Sequence, residues 1–343
     1  MKLKSFITFV ATALLLAGCS NDETETTISG PVELRLTSGV EVPQTRSTQE
    51  TSIAEGEVVS VWVDNAGTTP DPTPVYEAIQ LTATAGNGFT GSTTMYFPAG
   101  GTTLNIYAIH GNFTPAFQAD AEFPASAITH TVENDQTSGA DGSMANYLKS
   151  DLLYAVQKGV TASDNVTNHV KTQQLTFYHL LSKIEVALKA GTGSPNLTDA
   201  TVTIEGTKLK ADFTPSKDAT MADASGVSNT RASMVTATAS DNDPAPITIP
   251  AAITTNDFST GTSYAEAIVV PQTIAKDAPF IKVELSDGTE LVYKIPDTGG
   301  LELKSGKKYT YNITVSLTSL TVTSKIEPWE SAGTSKPGDA VMQ

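Results

Sequence analysis

From Tyr309 to Leu317 the chain alternates without interruption. Tyr309, Tyr311, Ile313, Val315 and Leu317 are apolar or aromatic, while Thr310, Asn312, Thr314 and Ser316 between them are polar. A period of two puts one set on each side of an extended backbone, whereas a helix would smear both sets around its circumference. This stretch is therefore a half-buried strand, and it demands a second layer to cover its apolar face. Shorter runs of the same kind recur along the chain, separated by Gly, Pro, Asn and Asp, and helix-period runs are rare. Thr, Ser, Ala, Val, Gly and Asp dominate, which is the composition of an all-β protein. With 343 residues and 39% hydrophobic content, the chain is long enough for two domains with cores of their own.

Two local readings follow from parity. In Phe280–Pro296, Ile281, Val283 and Leu285 share a face, and so do Leu291, Tyr293 and Ile295. A two-residue Asp287-Gly288 loop would pair Val283 with Val292 and mix the faces. A three-residue loop, Ser286-Asp287-Gly288, pairs Val283 with Leu291 and puts Gly288 at the left-handed position. At Thr318-Ser319 the apolar phase slips by one, since Leu320, Val322 and Ile326 follow on the other parity, and a bulge or a bend between sheets is expected there.

At the other end, Val32, Leu34 and Leu36 alternate with Glu33 and Arg35, which predicts a strand over Val32–Ser38. Val42-Pro43-Gln44-Thr45-Arg46-Ser47-Thr48 cannot extend it, because Pro43 removes a ladder donor and its neighbours are loop residues. Arg46 is thus expected in an exposed connection open to a trypsin-like protease, with Arg231, in a long Ala/Ser/Asp/Thr-rich excursion, as the rival site. Val58–Val63 is apolar on both parities, so it should lie centrally, covered on each face. Further strands are expected at Met95–Phe97, Thr103–His110, Asp151–Val156, Ala200–Ile204, Ile247–Ile249 and Tyr264–Val270. Phe117, Phe123 and Ile128 should anchor an irregular excursion over Phe113–Gly142, and Gly159–Asn168 reads as a linker.

The first residues, MKLKSFITFVATALLLAGC, carry Lys2 and Lys4 ahead of an apolar run, Phe6–Leu16. At about 11 residues the run is too short to span a bilayer and reads as a signal segment. Leu16-Ala17-Gly18-Cys19 resembles the bacterial lipobox, in which cleavage before the Cys leaves that residue carrying acyl chains. Cys19 is the only Cys, so no disulfide can form within the chain. Ser20–Glu25 reads either as an acidic surface-export tag or as a solvated tether.

Lys plus Arg number 21 against 37 Asp plus Glu, a net charge of −16, which argues against nucleic acid as a partner. The motifs of serine hydrolases, zincins, P-loop proteins and EF-hands are missing from the sequence. His110, His130, His169 and His179 lack metal-ligand spacing, and Trp62 and Trp329 sit in or beside apolar strands, where core roles are expected. No enzymatic activity, cofactor or metal is expected.

Several stretches in order resemble the fimbrillin family, the subunits of type V pili and related surface lipoproteins. They are the lipobox; Thr45-Arg46 ahead of Gly56–Trp62; Tyr96-Phe97-Pro98 with Asn105–Ala108; Asp151–Ala155; Leu175–Val186; Ala267–Gln272; and Gly306–Val315 with Ile326–Trp329. The resemblance implies two tandem transthyretin-like β-sandwich domains after a lipoprotein signal peptide. On this chain that gives a signal peptide at 1–18, a lipidated Cys19 with leash and removable first strand at 19–46, sandwiches at 47–168 and 169–330, and a polar tail at 331–343. It implies an outer-membrane surface lipoprotein cut between Arg46 and Ser47 by a trypsin-like protease. The strand holding Val32, Leu34 and Leu36 then leaves, and a strand of another pilus subunit takes its place in the fimbrium, with a tip or accessory role open. The alternative is a protein that stays on its lipid anchor and binds a host glycan or protein through its loops.

Overall fold

The computed structural model describes residues 30–40, 52–67, 73–99, 102–136, 145–163, 166–222, 229–238, 245–248, 263–329 and 338–341. The described residues are nearly all β, with 54% of them in strands and 4% in helices, and their strands enclose two hydrophobic cores. The first core lies wholly within residues 32–177. Around it runs one sheet, in the order Phe89–Thr90, Thr73–Ala83, Val58–Asn65, Leu104–His110, Leu153–Val160, Val170–His179, Glu33–Val40 and Met95–Tyr96. A bridge between Thr37 and Gly88 brings the two ends of that order together. Val170–His179 turns the corner between layers. Val170 to Phe177 pair with the first strand, and Tyr178 and His179 pair with Tyr154 and Leu153. Just before it, Val166–Thr167 folds back onto Val170 and Lys171 through Asn168 and His169, both at positive φ. The stretch read as a linker thus contains a hairpin of this sheet; Asn tolerates the left-handed region such a turn needs.

The second core is built by two sheets. One has the order Ser263–Val269, Ser182–Ala190, Lys307–Ser316, Ser319–Pro328 and Gly338–Val341; the other has Ala245–Thr248, Thr201–Thr207, Pro279–Glu284 and Glu290–Lys294. Ile184, Val186 and Leu188 meet Val202, Ile204, Ile281, Val283, Tyr311 and Ile313 between them, all nearly or fully buried. The Phe280–Pro296 hairpin has the expected register: Ile281 opposite Tyr293 and Val283 opposite Leu291. Leu285 N–H donates to Thr289 O at 2.9 Å, closing the three-residue loop, and Gly288 has φ +82°.

The phase slip after Leu317 is not a bulge or a bend. Lys307–Ser316 and Ser319–Pro328 form an antiparallel hairpin with Ser316 opposite Ser319, Val315 opposite Leu320 and Ile313 opposite Val322. A loop of two residues makes odd positions face even ones, so apolar residues must change parity to stay on one face. Beyond Trp329, Gly338–Val341 adds a short edge strand to Ser324–Thr321.

The two cores are joined by aromatic packing. Trp62 is 1% exposed, donates Nε1–H to Ala121 O at 2.8 Å, and meets Phe117 and Phe123 edge-on at 5.1 and 5.5 Å. Ile128–Thr131 pairs with Lys210–Phe213 in a small three-stranded sheet that bridges the two halves of the chain. Lys217 Nζ reaches buried Asp64 Oδ2 at 2.6 Å over the rings of Tyr107 and Phe123. Val58–Asn65 is apolar on both parities for this reason. Val59, Val61 and Val63 face the first core, while Trp62 faces the joint.

Candidate functional site

The feature that sets the first half apart is how its opening strand is seated. Val32, Leu34, Leu36, Ser38 and Val40 are 6, 2, 3, 0 and 5% exposed and point into the first core. Arg35 points out and forms an exposed pair with Glu33, Nε to Oε1 2.6 Å. On one edge the strand is paired in parallel along its whole length, from Glu33 opposite Val170 to Val40 opposite Phe177. Glu33 N–H donates to His169 O at 2.8 Å at the start of this ladder.

Among the described residues the other edge is held only near its ends. Near the start, Met95 and Tyr96 pair with Leu34 and Glu33, and Phe97 N–H donates to Val32 O at 2.9 Å. This flap is pinned by Tyr76, whose hydroxyl accepts Tyr96 N–H at 2.7 Å and donates to Tyr96 O at 3.1 Å. Near the far end, Ser38 N–H donates to Asn87 O at 2.8 Å and Thr37 bridges to Gly88. Among the described residues no strand pairs with Arg35 and Leu36 on this side. Removal of the strand would leave an apolar groove with one long ladder of backbone groups open for pairing, which is the geometry of β-augmentation.

Of the residues singled out from the sequence, Val32, Leu34 and Leu36 sit together in this groove. Cys19, Arg46 and Ser47 lie outside the described residues; Arg46 falls in the 41–51 stretch that leads from the strand to the body. The rival Arg231 is 6% exposed, on the short helix Arg231–Met234, with its guanidinium 5.5 Å from the Tyr178 ring. Burial there shields it from a protease. Sequence reasoning stopped the strand at Ser38 and missed Val40, although the same parity continues to it. It also missed Ile53, 2% exposed, a lone apolar residue in a polar stretch, and Tyr76, on the unread strand Thr73–Ala83.

The buried polar side chains elsewhere have structural partners. His110 meets Val58 O and Leu148 O at 3.1 and 3.2 Å. His179 pairs with Asp151 at 2.9 Å and stacks on Trp329 at 3.8 Å. His130 accepts Asn112 N–H and meets Ser150 O at 2.9 Å; burial pulls its pKa down to about 4. Among the described residues no three His, Cys, Asp or Glu stand close enough to hold a metal ion.

Comparison with known proteins places this architecture. The sequence profile of a family described as fimbrillin-like matches residues 45–329. Solved structures of similar fold include a candidate cell adhesion protein of Bacteroides ovatus, 20% identical, covering 89% of this chain and 99% of its own, with a TM-score of 0.57. Another, from Bacteroides uniformis, is also 20% identical, covers 88% of this chain and 99% of its own, and has a TM-score of 0.55. No curated protein matches the chain.

Proposed function

The chain belongs to the fimbrillin-like family, and from that premise we propose that it is a pilus subunit assembled by exchange of its first strand. In this reading Cys19 carries the lipid that holds the exported precursor at the outer membrane. A trypsin-like protease cuts between Arg46 and Ser47. The Glu33–Val40 strand then leaves, and a strand of another subunit enters the groove. The observation that carries the reading is the seating of that strand, with a full ladder on one edge and, among the described residues, contacts only near its two ends on the other.

The energetics suit a plug that holds until it is cut. Burying Val32, Leu34, Leu36 and Val40 contributes at most about 1.5–3 kcal/mol each, and less once the compactness of the unfolded chain is counted. While the connection is intact the strand refills its own groove at an effective concentration on the order of millimolar, so a strand from outside cannot compete. Cutting at Arg46 removes that advantage. The chain's own segment of matching spacing, Leu320, Val322, Ser324 and Ile326, is committed to the second core by its full hairpin with Lys307–Ser316, so the incoming strand must come from a segment that is free in its own subunit.

The test is the N-terminus of the protein on the native cell surface. Polymeric material beginning at Ser47, together with a lipidated monomer that does not assemble when Arg46 is replaced by Ala, supports the reading. Assembly of the Arg46→Ala protein contradicts it. Surface protein that keeps a lipidated Cys19 and never begins at Ser47 favours a permanently anchored binding module instead.

A further inference from the structure

Ser38 is the one polar side chain in the inward row of the first strand, and it is fully buried. Its Oγ accepts the backbone N–H of Ile53 at 3.2 Å and lies 3.4 Å from Asn87 O. Ile53 leads into a turn that is held to the body without the strand: Glu57 N–H donates to Ala54 O, Gly56 N–H donates to Ala83 O at 3.0 Å, and Ala83 N–H donates to Glu57 O at 2.9 Å. When the strand leaves, Asn87 O can be met by the backbone N–H of any strand that enters. With the strand seated, the Ile53 amide is met by a side chain and not by backbone, and an unmet buried N–H is costly.

On the strand-exchange reading, we propose that Ile53 N–H and Asn87 form a hydroxyl subsite inside the apolar groove. The groove therefore takes an extended segment with apolar residues at the positions of Leu34, Leu36 and Val40 and a Ser or Thr at that of Ser38. The subsite fixes register. A slip of one residue is already excluded, because it turns every apolar side chain outward. A slip of two keeps the apolar row inward, and hydrophobicity alone cannot reject it. The hydroxyl subsite does, because the slip brings a hydrocarbon side chain against the Ile53 amide. The next position is tolerant by contrast. A Cβ on Gly39 would meet the Gln174 side chain alone, closest at Nε2, 2.8 Å, the far end of a flexible side chain. The Ser319–Pro328 strand carries the same pattern with Ser324, but it is paired along its length with Lys307–Ser316 and buries Leu320 and Val322 in the second core, so it is not free to donate while that core is folded.

The test uses the full chain, nicked by limited trypsin digestion and then treated with a trypsin inhibitor. A fluorescent peptide spanning Val32–Val40 is titrated in, alongside versions with Ser38→Ala, Ser38→Thr and Ser38→Val. Ser against Ala, and Thr against Val, each isolate the hydroxyl at nearly constant shape. The hydroxyl member of each pair should bind about tenfold more tightly, the range expected when a buried donor loses its partner. Exchange of the Ile53 amide should be slowed by the Ser and Thr peptides and not by the other two. Equal affinities within both pairs, with Ile53 protected alike by all four, would overturn the subsite while leaving strand exchange standing. If none of the four peptides binds, the strand-exchange reading itself fails, and the subsite with it.

Discussion

Two strands in this molecule open a core by pairing in parallel with a later strand, and they are seated differently. Glu33–Val40 lies beside Val170–His179, and Ser182–Ala190 lies beside Lys307–Ser316. The second of these has a full antiparallel neighbour on its other edge, from Ser182 opposite Val269 to Leu188 opposite Ser263. Its first seven residues are buried on both parities, and Lys183, with its ammonium 2.9 Å from Glu266, is covered completely. It continues from the preceding strand through buried Leu180 and Leu181. The first strand is buried on one parity only, has a broken second edge, and joins the body through the stretch that holds Arg46. Parallel pairing thus supplies the ladder in both places. Neighbours, two-sided burial and connection set how firmly each strand is held.

The largest expected effect separates the two strands directly. Ile184→Ala should cost about 2–5 kcal/mol, the usual price of emptying a buried aliphatic site, and the loss should be the same before and after nicking at Arg46. Leu36→Ala should cost a comparable amount in the intact chain and nothing in nicked protein that has released the strand. Urea unfolding of both variants, nicked and intact, checks this; a Leu36→Ala deficit that persists after release would erase the distinction.

Acid should act on the joint. His130, on the strand that pairs with Lys210–Phe213, is held neutral by burial, with its pKa near 4. In the unfolded chain the ring takes a proton near pH 6.5. Stability from this group is therefore complete above about pH 6.5 and falls as pH drops toward 4, by at most about 3 kcal/mol. Thermal unfolding of the intact chain between pH 7 and 4.5, beside a His130→Asn variant with a shallower slope, measures it.

Smaller still is the flap. Tyr76→Phe removes both hydrogen bonds to Tyr96 and should cost about 0.5–1.5 kcal/mol. It should speed release of the first strand from nicked protein severalfold while leaving exchange in Ser182–Ala190 unchanged. Gly288→Ala should cost a similar amount, about 1 kcal/mol. Its φ is +82° with open space around the added Cβ, so only backbone strain acts. Nicking should not alter that value, which makes it a control for the second core.

Much of this was legible in the chain because strands with one buried face write their period into the sequence. Phe280–Pro296 shows it best, with register, loop length and the left-handed glycine all following from parity. The first strand was legible for the same reason. Thr73–Ala83 was not, because its ladder to Val58–Asn65 shifts register between Val61 and Val63, opposite Ile79 and Tyr76, and Ala78 takes φ +43° and is buried. That irregularity breaks the alternation by which strands are recognised. Tyr76, which pins the flap, was hidden with it. Ser38 and Ile53 were hidden differently. A serine on a strand and a single isoleucine in a polar stretch carry no local signal, and their meaning comes from a contact across 15 residues of chain.

The claim that the first strand is a removable plug is tested most directly by hydrogen exchange on the full chain before and after limited trypsin digestion. Before the cut, amides of Glu33–Val40 and of Ser182–Ala190 should both be protected. After a first cut at Arg46, protection should vanish from Glu33–Val40 as that strand separates, persist in Ser182–Ala190, and return to the groove-facing amides of Val170–Phe177 when a Val32–Val40 peptide is added. A first cut elsewhere, or a nicked chain whose Glu33–Val40 amides stay as protected as before, would contradict the account.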